Sequence, residues 1–494
     1  MNAQKDFYAI LGVERDATAE EIRQAYFAAA RRLHPDKNVA PGETQLFLEV
    51  QEAYETLSNP KRRAEYDATL PPPEPVEEVI RQRVLFSREH LFPTSEGQLV
   101  YVLLHLLAPP NAPRVSPPVN LCLVIDRSTS MNANMGTVKQ TAIEILRTLK
   151  PQDFFSLVVF SDRAEVVIPA QNAHDVRRLE TRIHAIQCSG GTEIFFGLQA
   201  GYQEVSRALA RSNSNHIILL TDGRTYGDEQ KCLELAREAA QQGITIRSLG
   251  IGTEWNDVFL DELSSITGGS SMYIARPDEI RHTLLAQIEN IASIYAQDVR
   301  LDFKLPKSVE LRYAFRLIPE PSLLNLSDSS HLGAINYENG LKILFEFVVH
   351  QTGKEQMVTL MDGKIRATLS GNVVRSVSVP LKLTRPVENK VDLATPPAEI
   401  VKALSKLILY RMQEQAQQEV AVGNFDKAAE RLQRLATHLL AQNERALAKT
   451  ALLEAEQLRK QRELSREGAK EIKYRTRALL LSSGGMDNGD LPKL

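Results

Sequence analysis

Between residues 119 and 251, near-continuous apolar runs alternate with amphipathic stretches. VNLCLVID, FFSLVVF, HIILLTD and TIRSLGIG each read as a strand buried on both faces, and strands alternating with helices predict a doubly wound, mainly parallel α/β sheet. Upstream, QLVYVLLHLL at 98–107 is apolar and β-prone but too short to span a bilayer, and reads as one or two sandwich strands. Downstream of residue 293 the alternation stops. DVRLDFKLP, ILFEFVVH, MVTLMDGKIRATLS and VRSVSVPLKLT are strands between turn residues and predict an antiparallel β-sandwich. Strands from 80–116 complete that sandwich, which makes the α/β segment at 117–292 an insertion.

The two ends of the chain carry a helical period instead. Phe7, Tyr8, Ile10 and Leu11 form a short apolar helix, and Thr18 with Glu21 makes a capping box for a second. In that second helix Ile22, Tyr26, Ala29, Ala30 and Leu33 form one stripe, leaving Arg23, Arg31 and Arg32 to solvent. Pro35 ends it by biasing His34 away from helical angles, so His34, Pro35 and Asp36 fall in a loop. A third helix follows with Phe47, Val50, Ala53, Tyr54 and Leu57 inward, and Asn59-Pro60 breaks it before the basic turn Lys61, Arg62, Arg63. Near the other end, residues 396–473 read as a helical domain containing a hairpin, and 474–494 as a disordered tail. The proline-rich stretch at 71–79 reads as an extended spacer after a first domain at 1–70.

Composition narrows the partner classes. With 43% hydrophobic residues, 24% charged residues and a net charge of −3, the chain reads as a soluble protein of several domains without the basic field that holds nucleic acid. The N-terminus meets charge after a very short apolar run, and no run of about 18 apolar residues spans a membrane, so a cytoplasmic protein without a membrane partner is expected. Cys122, Cys188 and Cys232 lie too far apart for a metal-binding pair and read as free thiols.

Strand ends carry the candidate chemistry, because ligands of doubly wound sheets bind beyond the carboxyl ends of the strands. The first strand runs into Asp126, Ser128 and Ser130, the loop CSGGTEI offers Thr192, and a later strand ends in Thr221-Asp222-Gly223. Carboxylates and hydroxyls are hard oxygen ligands that select Mg²⁺, or Mn²⁺ and Ca²⁺, over softer metals. So few carboxylates leave coordination positions open to water or to a partner's acidic residue. No nucleophile with a base and an orienting group stands nearby, His174 and His184 fall on a predicted helix, and an enzyme is not expected.

Two resemblances sharpen this reading. DFYAILGV, EIRQAYFAAARRLHPDKN and FLEVQEAYETLSNPKRRAEYD resemble the J domain of DnaJ-type co-chaperones. That resemblance implies docking to a DnaK-class heat-shock chaperone and stimulation of its ATP hydrolysis, signalled by His34, Pro35 and Asp36. Phe27 and Ala28 stand where that family usually places adjacent basic residues, so docking would rest on Arg23, Arg31 and Arg32 and be weaker or more selective. DRSTS, Thr192 and TDG resemble the metal-ion-dependent adhesion site of von Willebrand factor A domains, which implies metal positions at Asp126, Ser128, Ser130, Thr192 and Asp222. Arg127 and Thr129 occupy places where smaller residues are common.

The expected architecture is therefore multidomain: an all-α J domain, a doubly wound α/β von Willebrand factor A domain at 117–292, a β-sandwich built from 80–116 and 293–388, and a C-terminal helical hairpin. The expected function is a co-chaperone adaptor whose A domain holds a protein client through an acidic metal ligand. The alternative is a scaffold or assembly factor using the same metal site, alone or beside an AAA-type ATPase.

Overall fold

The computed structural model describes residues 7–11, 13, 17, 19, 22–23, 25–27, 30, 41–69, 79–114, 117–172, 176–210, 212–225, 227–324, 329–350, 352, 356–369, 375–389 and 395–480. They divide into two units, 1–78 and 79–494.

In the first unit, α1 (Phe7–Leu11), α2 (Pro41–Leu57) and α3 (Pro60–Thr69) surround a small core. Tyr8, Leu11, Ile22, Val50, Ala53, Leu57 and Tyr66 are buried together, and Tyr26 stacks on Tyr54 with ring centroids 4.1 Å apart. Asn59 Oδ1 accepts from Lys61 N at 3.0 Å and Arg62 N at 3.3 Å. Asn59 thus caps α3 with Pro60 at its first helical position, so the basic residues expected in a turn lie on a helix. Arg63 Nε donates to Tyr8 Oη, which donates to Asp67 Oδ1 at 2.7 Å and ties α3 to α1. Arg23 is exposed and the Phe27 ring is 52% exposed. Thr18, Glu21, Ala28, Arg31, Arg32, His34, Pro35 and Asp36 lie outside the described residues.

The second unit starts in a sandwich. β1 (Arg81–Phe86) and β2 (Gln98–Leu107) pair antiparallel, then the chain leaves and re-enters through β9 (Ile294–Lys304), β10 (Val309–Ile318), β11 (Ser322–Leu323), β12 (Ser329–Asn336), β13 (Leu341–Val349), β14 (Met357–Leu369) and β15 (Arg375–Pro386). The sheets run β1-β2-β13-β10-β11 and β12-β9-β14-β15. β2 pairs with β13 from Gln98 opposite Val349 to Leu106 opposite Leu341, so the chain leaves the sandwich after β2 and returns to it through β9, and the segment between β2 and β9 is inserted. Val100, Val102, Leu104 and Leu106 face the sandwich interior with Ile343, Phe345 and Phe347. The other face, with Leu103, Leu344, Phe315 and Leu317, is covered by a helix through Ile400, Ala403, Leu407 and Tyr410. Burial on both faces explains why β2 and β13 are apolar without alternation.

The inserted segment is the α/β domain. Its strands are β3 (Val119–Asp126), β4 (Phe154–Phe160), β5 (Ala164–Asn172), β6 (Ser214–Thr221), β7 (Ile244–Ile251) and β8 (Ser271–Ile274), in the order β5-β4-β3-β6-β7-β8. All neighbours are parallel except β4 and β5. Helices α4 (Asn132–Thr148), α5 (Val176–His184), α6 (Ile194–Arg207), α7 (Glu229–Gln241), α8 (Asp257–Ile266) and α9 (Glu279–Ala292) cover the sheet. On β3, Leu121, Leu123 and Ile125 enter one core while Cys122 and Val124 enter the other. All three cysteines are free, with Cys122 and Cys232 buried.

The C-terminal domain has four helices, α10 (Ala398–Ala421), α11 (Phe425–Ala441), α12 (Arg445–Gln461) and α13 (Arg466–Ala478), and the expected hairpin is its middle pair. α13 also crosses the expected start of a tail at residue 474: Tyr474, Thr476, Arg477 and Leu480 are buried. The reason is electrostatic and lies elsewhere in the chain. Arg477 donates from both terminal nitrogens to the Asp261 carboxylate on α8 at 2.8 Å each, and Lys473 Nζ reaches the same group at 2.8 Å. Lys470 Nζ donates to Trp255 O at 2.6 Å and sits 3.6 Å from the indole centroid. Burial alone would push the Asp261 carboxyl up, but the charges of Arg477 and Lys473 overcome it and hold the group well below the ordinary carboxylate range.

A second buried junction fixes the sandwich to the α/β domain. Arg316 on β10, 1% exposed, donates to Gly268 O at 2.6 Å, Gly269 O at 2.7 Å, Leu332 O at 2.9 Å and Glu320 O at 2.9 Å. Burial pulls this guanidinium down to about 10, yet it stays charged at neutral pH. Among the described residues no helix is long and apolar enough to cross a membrane.

Asp261→Asn leaves Arg477 without its carboxylate and Lys473 with Asp257 alone, and breaking a buried pair costs about 3–5 kcal/mol. A depressed carboxylate contributes stability above its unfolded pKa of about 3.9 and loses it as pH falls toward the folded value. The melting temperature of Asp261→Asn is therefore expected to lie well below that of the wild type at pH 7, with the gap narrowing under acidification below about pH 4. Scanning calorimetry across pH checks this, and a gap independent of pH would refute it.

Candidate functional site

Parallel register builds the site. β3 and β6 pair with Ile125 opposite Leu220, which puts Asp126 beside Thr221 at the carboxyl ends of adjacent strands. Thr221 Oγ1 donates to Asp126 Oδ2 at 2.7 Å, and Ser128 N donates to Asp126 Oδ1 at 2.8 Å. Asp126 is thereby held in one orientation at 0% exposure. The chain then turns so that Ser128 Oγ and Ser130 Oγ stand 3.0 Å apart. Ser130 Oγ donates to Asp222 Oδ1 at 2.7 Å, and Ser128 Oγ lies 3.5 Å from the same oxygen. Thr192 joins from the loop before α6: a Cβ placed on Gly223 would fall 2.8 Å from Thr192 Oγ1, so the absence of a side chain at 223 is what lets Thr192 stand beside Asp222.

The loop 189–193 is fixed from both sides. Gly190 has φ +82°, a region that favours glycine, and its carbonyl accepts from Thr129 N and Thr129 Oγ1 at 3.3 Å each. Gly191 N donates to Asp162 Oδ1 at 2.9 Å, and Glu193 N to Ser161 O at 2.9 Å. Arg127, expected to narrow access, points its guanidinium to Glu165 at 2.8 Å.

The electrostatics fit a cation. Burial pushes the Asp126 carboxyl up to about 6, with Asp222 adding to the rise, even though Thr221 and Ser128 oppose it through hydrogen bonds. Burial likewise raises Asp222 against the hydroxyls of Ser130 and Ser128. Neither carboxylate has an ion-pair partner among the described residues, and two desolvated carboxylates sharing one hydroxyl cluster leave a deficit of positive charge. Among the described residues no cluster of three His, Cys, Asp or Glu side chains stands ready for a metal. The donor set here is instead two carboxylates and three hydroxyls, which suits a hard divalent ion retaining water.

The structure thus brings Asp126, Ser128, Ser130 and Asp222 to one point, with Thr192 at its edge. His184 ends α5, outside this group. Sequence reasoning named Thr221 without its role in orienting Asp126, and missed Asp162, which pins the glycine loop. Thr221 was visible as the first residue of TDG, whereas nothing in the sequence near Asp162 pointed to Gly191.

Comparison with known proteins agrees with the two motifs. Residues 6–67 match the DnaJ domain, 120–287 the von Willebrand factor type A domain, and 398–482 the Sll0103-like C-terminal alpha-helical domain. The "Uncharacterized protein sll0103" of Synechocystis sp. is 27% identical over 329 residues, covering 64% of this chain and 77% of that protein. Chaperone protein DnaJ 2 of Thermus thermophilus is 54% identical over 67 residues, which are 14% of this chain and 24% of the relative. Chaperone protein DnaJ of Dictyoglomus thermophilum is 52% identical over 67 residues, 17% of its length. Among solved structures, a von Willebrand factor type A protein from Catenulispora acidiphila superposes with a TM-score of 0.63 at 19% identity, covering 80% of this chain and 96% of that one. The ArnB paralog VWA2 from Sulfolobus acidocaldarius gives 0.52 at 14% identity, covering 81% and 99%. Coverage this wide extends the shared fold beyond the α/β domain to the sandwich and helices. Residues 6–67 are a DnaJ domain and residues 120–287 a von Willebrand factor type A domain, joined in one chain.

Proposed function

We propose that the chain is a non-catalytic co-chaperone adaptor. Its DnaJ domain stimulates ATP hydrolysis by a DnaK-class chaperone through His34, Pro35 and Asp36, with Arg23, Arg31 and Arg32 guiding the encounter. Its A domain captures a protein through a metal ion. The observation that carries the second half is the meeting of Asp126 and Asp222 with Ser128 and Ser130 at adjacent strand ends, with no cation paired to either carboxylate among the described residues. Mg²⁺, or Mn²⁺ or Ca²⁺, bound there supplies positive charge and an open position for a partner's carboxylate. Asp126 and Asp222 give that position its charge complement, Ser128, Ser130 and Thr192 give it hydroxyl oxygens, and Thr221 fixes the orientation of Asp126.

Joining both functions in one chain has a physical consequence. A protein held by the A domain meets the recruited chaperone at the high effective concentration of a tethered pair, without any new contact. A cytoplasmic setting belongs to the same proposal. Capture with no effect of the chaperone on the captured protein would favour the scaffold reading.

Two measurements test the halves separately. Single-turnover ATP hydrolysis by a DnaK-class chaperone is expected to accelerate with this protein and not with its His34→Gln variant; no acceleration by the wild type would refute the co-chaperone half. Mg²⁺ is expected to bind in calorimetric titration and raise the melting temperature, an effect lost in Asp126→Ala. Gly223→Ala, which crowds Thr192, should weaken Mg²⁺ binding. A wild type indifferent to Mg²⁺, Mn²⁺ and Ca²⁺ would rule out the metal site.

A further inference from the structure

The loop that carries Thr192 has a second neighbour. On its far side, a depression of about 310 Å³ lies between the start of β5 and the outer face of α6, lined by Asp162, Arg163, Ala164, Phe196, Gln199, Ala200 and Gln203. That volume accommodates one large side chain with part of its backbone. Asp162 is the hinge between the two features, because its Oδ1 accepts from Gly191 N, one residue before Thr192. Ser189, Gly190 and Gly191 are all exposed, and a Cβ on either glycine would strike the Asp162 carboxylate at 2.5 or 2.7 Å. The ground between the metal point and the depression is therefore low, bare backbone.

The lining is mixed in a specific way. Phe196 is 42% exposed although its neighbours on α6, Gly197 and Leu198, are buried, so a ring stands in solvent at the wall. Gln199 and Gln203, one helical turn apart, are exposed and their side chains make no hydrogen bond among the described residues, which leaves amide donors and acceptors facing outward. Arg163 is exposed and forms no ion pair among the described residues, whereas the Asp162 carboxylate is engaged by the loop. Asp162 keeps its formal charge, because a backbone N–H does not neutralise it, and Glu193 in the same loop is exposed with no ion pair among the described residues; Arg163 is therefore a single cation in a mixed field, and the acidic character of the occupant is set by the metal point. Together with that point, an apolar wall, free amides and a cation suit an extended acidic segment carrying one large apolar side chain.

We propose that the depression is the specificity pocket of the metal site, and that its occupant is a linear acidic protein segment. One Asp or Glu of that segment meets the metal, the chain crosses Ser189–Gly191, and an aromatic or large aliphatic side chain a few residues away packs on Phe196 beside Arg163. The inference rests on the metal-site reading of the A domain. It adds that the carboxylate alone does not select the partner.

The test is selection of a displayed library of random linear peptides on the full chain in Mg²⁺, with elution by EDTA. Eluted peptides are expected to share an acidic residue followed or preceded, about two to four residues away, by an aromatic or large aliphatic residue. A synthetic peptide of that consensus should bind Phe196→Gln about tenfold more weakly than wild type, as truncating a pocket anchor does, and Arg163→Glu more weakly still. Both variants should keep the wild-type Mg²⁺-dependent rise in melting temperature. Acidic peptides with no apolar preference, a preference unchanged in Phe196→Gln, or no enrichment by a protein that binds Mg²⁺ would overturn the pocket while sparing the metal site. A wild type that binds no divalent ion would instead remove the metal-site reading on which the pocket depends.

Discussion

A buried carboxylate at the end of the central strand is the constraint around which the α/β domain is arranged. Asp126 is fully inaccessible and has no cation partner among the described residues, a placement that costs several kcal/mol unless hydrogen bonds or an ion offset it. The sheet meets this cost by register. Only with Ile125 opposite Leu220 does Thr221 stand where its hydroxyl reaches Asp126, and a parallel slip of one residue would turn every side chain of β3 to the wrong core. The same register brings Asp222 to the serines. Strand pairing and site geometry are one fact here, which is why the site depends on the packing of Cys122, Val124 and Leu123 as much as on its oxygen atoms.

The loops above those strands are held by parts of the chain remote in sequence. Arg224, two residues beyond Asp222, donates to Glu254 O at 2.9 Å in the loop after β7. Glu254 pairs with Arg466 at the start of α13, and Trp255 next to it lies under Lys470. Trp255 in turn fills space against Gly250, where a Cβ would meet the indole at 2.0 Å. On the opposite side of the domain, Arg316 ties Gly268 and Gly269 to the sandwich. The C-terminal helix and the sandwich therefore act as a frame for the α/β insertion, and the structural likeness that spans 80% of the chain is a likeness of frame and insertion together.

How much of this was legible in the sequence follows from where each signal resides. The residues that meet at the candidate site could be read because their positions at strand ends are fixed by long apolar runs, and hydroxyls at alternate positions after Asp126 are rare by accident. Insertion of the α/β domain was also legible, since apolar strands stood on both sides of it. Helix α13 was not. Lys470, Lys473 and Arg477 look like the solvent face of a terminal helix, and only Asp261, more than two hundred residues away, explains why they are buried. Arg316 hides for the same reason: its four partners are backbone carbonyls, which leave no side-chain signature. A local pattern reports local partners, and both misses are long-range charge placements.

The proposed adaptor, if built on an open-coordination metal, has an inherent weakness that its surroundings must address. A carboxylate entering a solvated divalent site displaces water already held there, so the net gain from that single contact is small. Acidic residues are also abundant on protein surfaces, so the ion by itself discriminates little. Selectivity must come from groups that the wrong partner would leave unpaired or unfilled, and Phe196, Arg163 and the two glutamines beside the glycine loop are the groups of this kind adjoining the site. In the proposed adaptor modest affinity would be no handicap, because a chaperone recruited by the tethered DnaJ domain would meet the captured segment intramolecularly and the capture would need to last only as long as recruitment takes. A site that held its partner very tightly would oppose the release that a chaperone cycle requires.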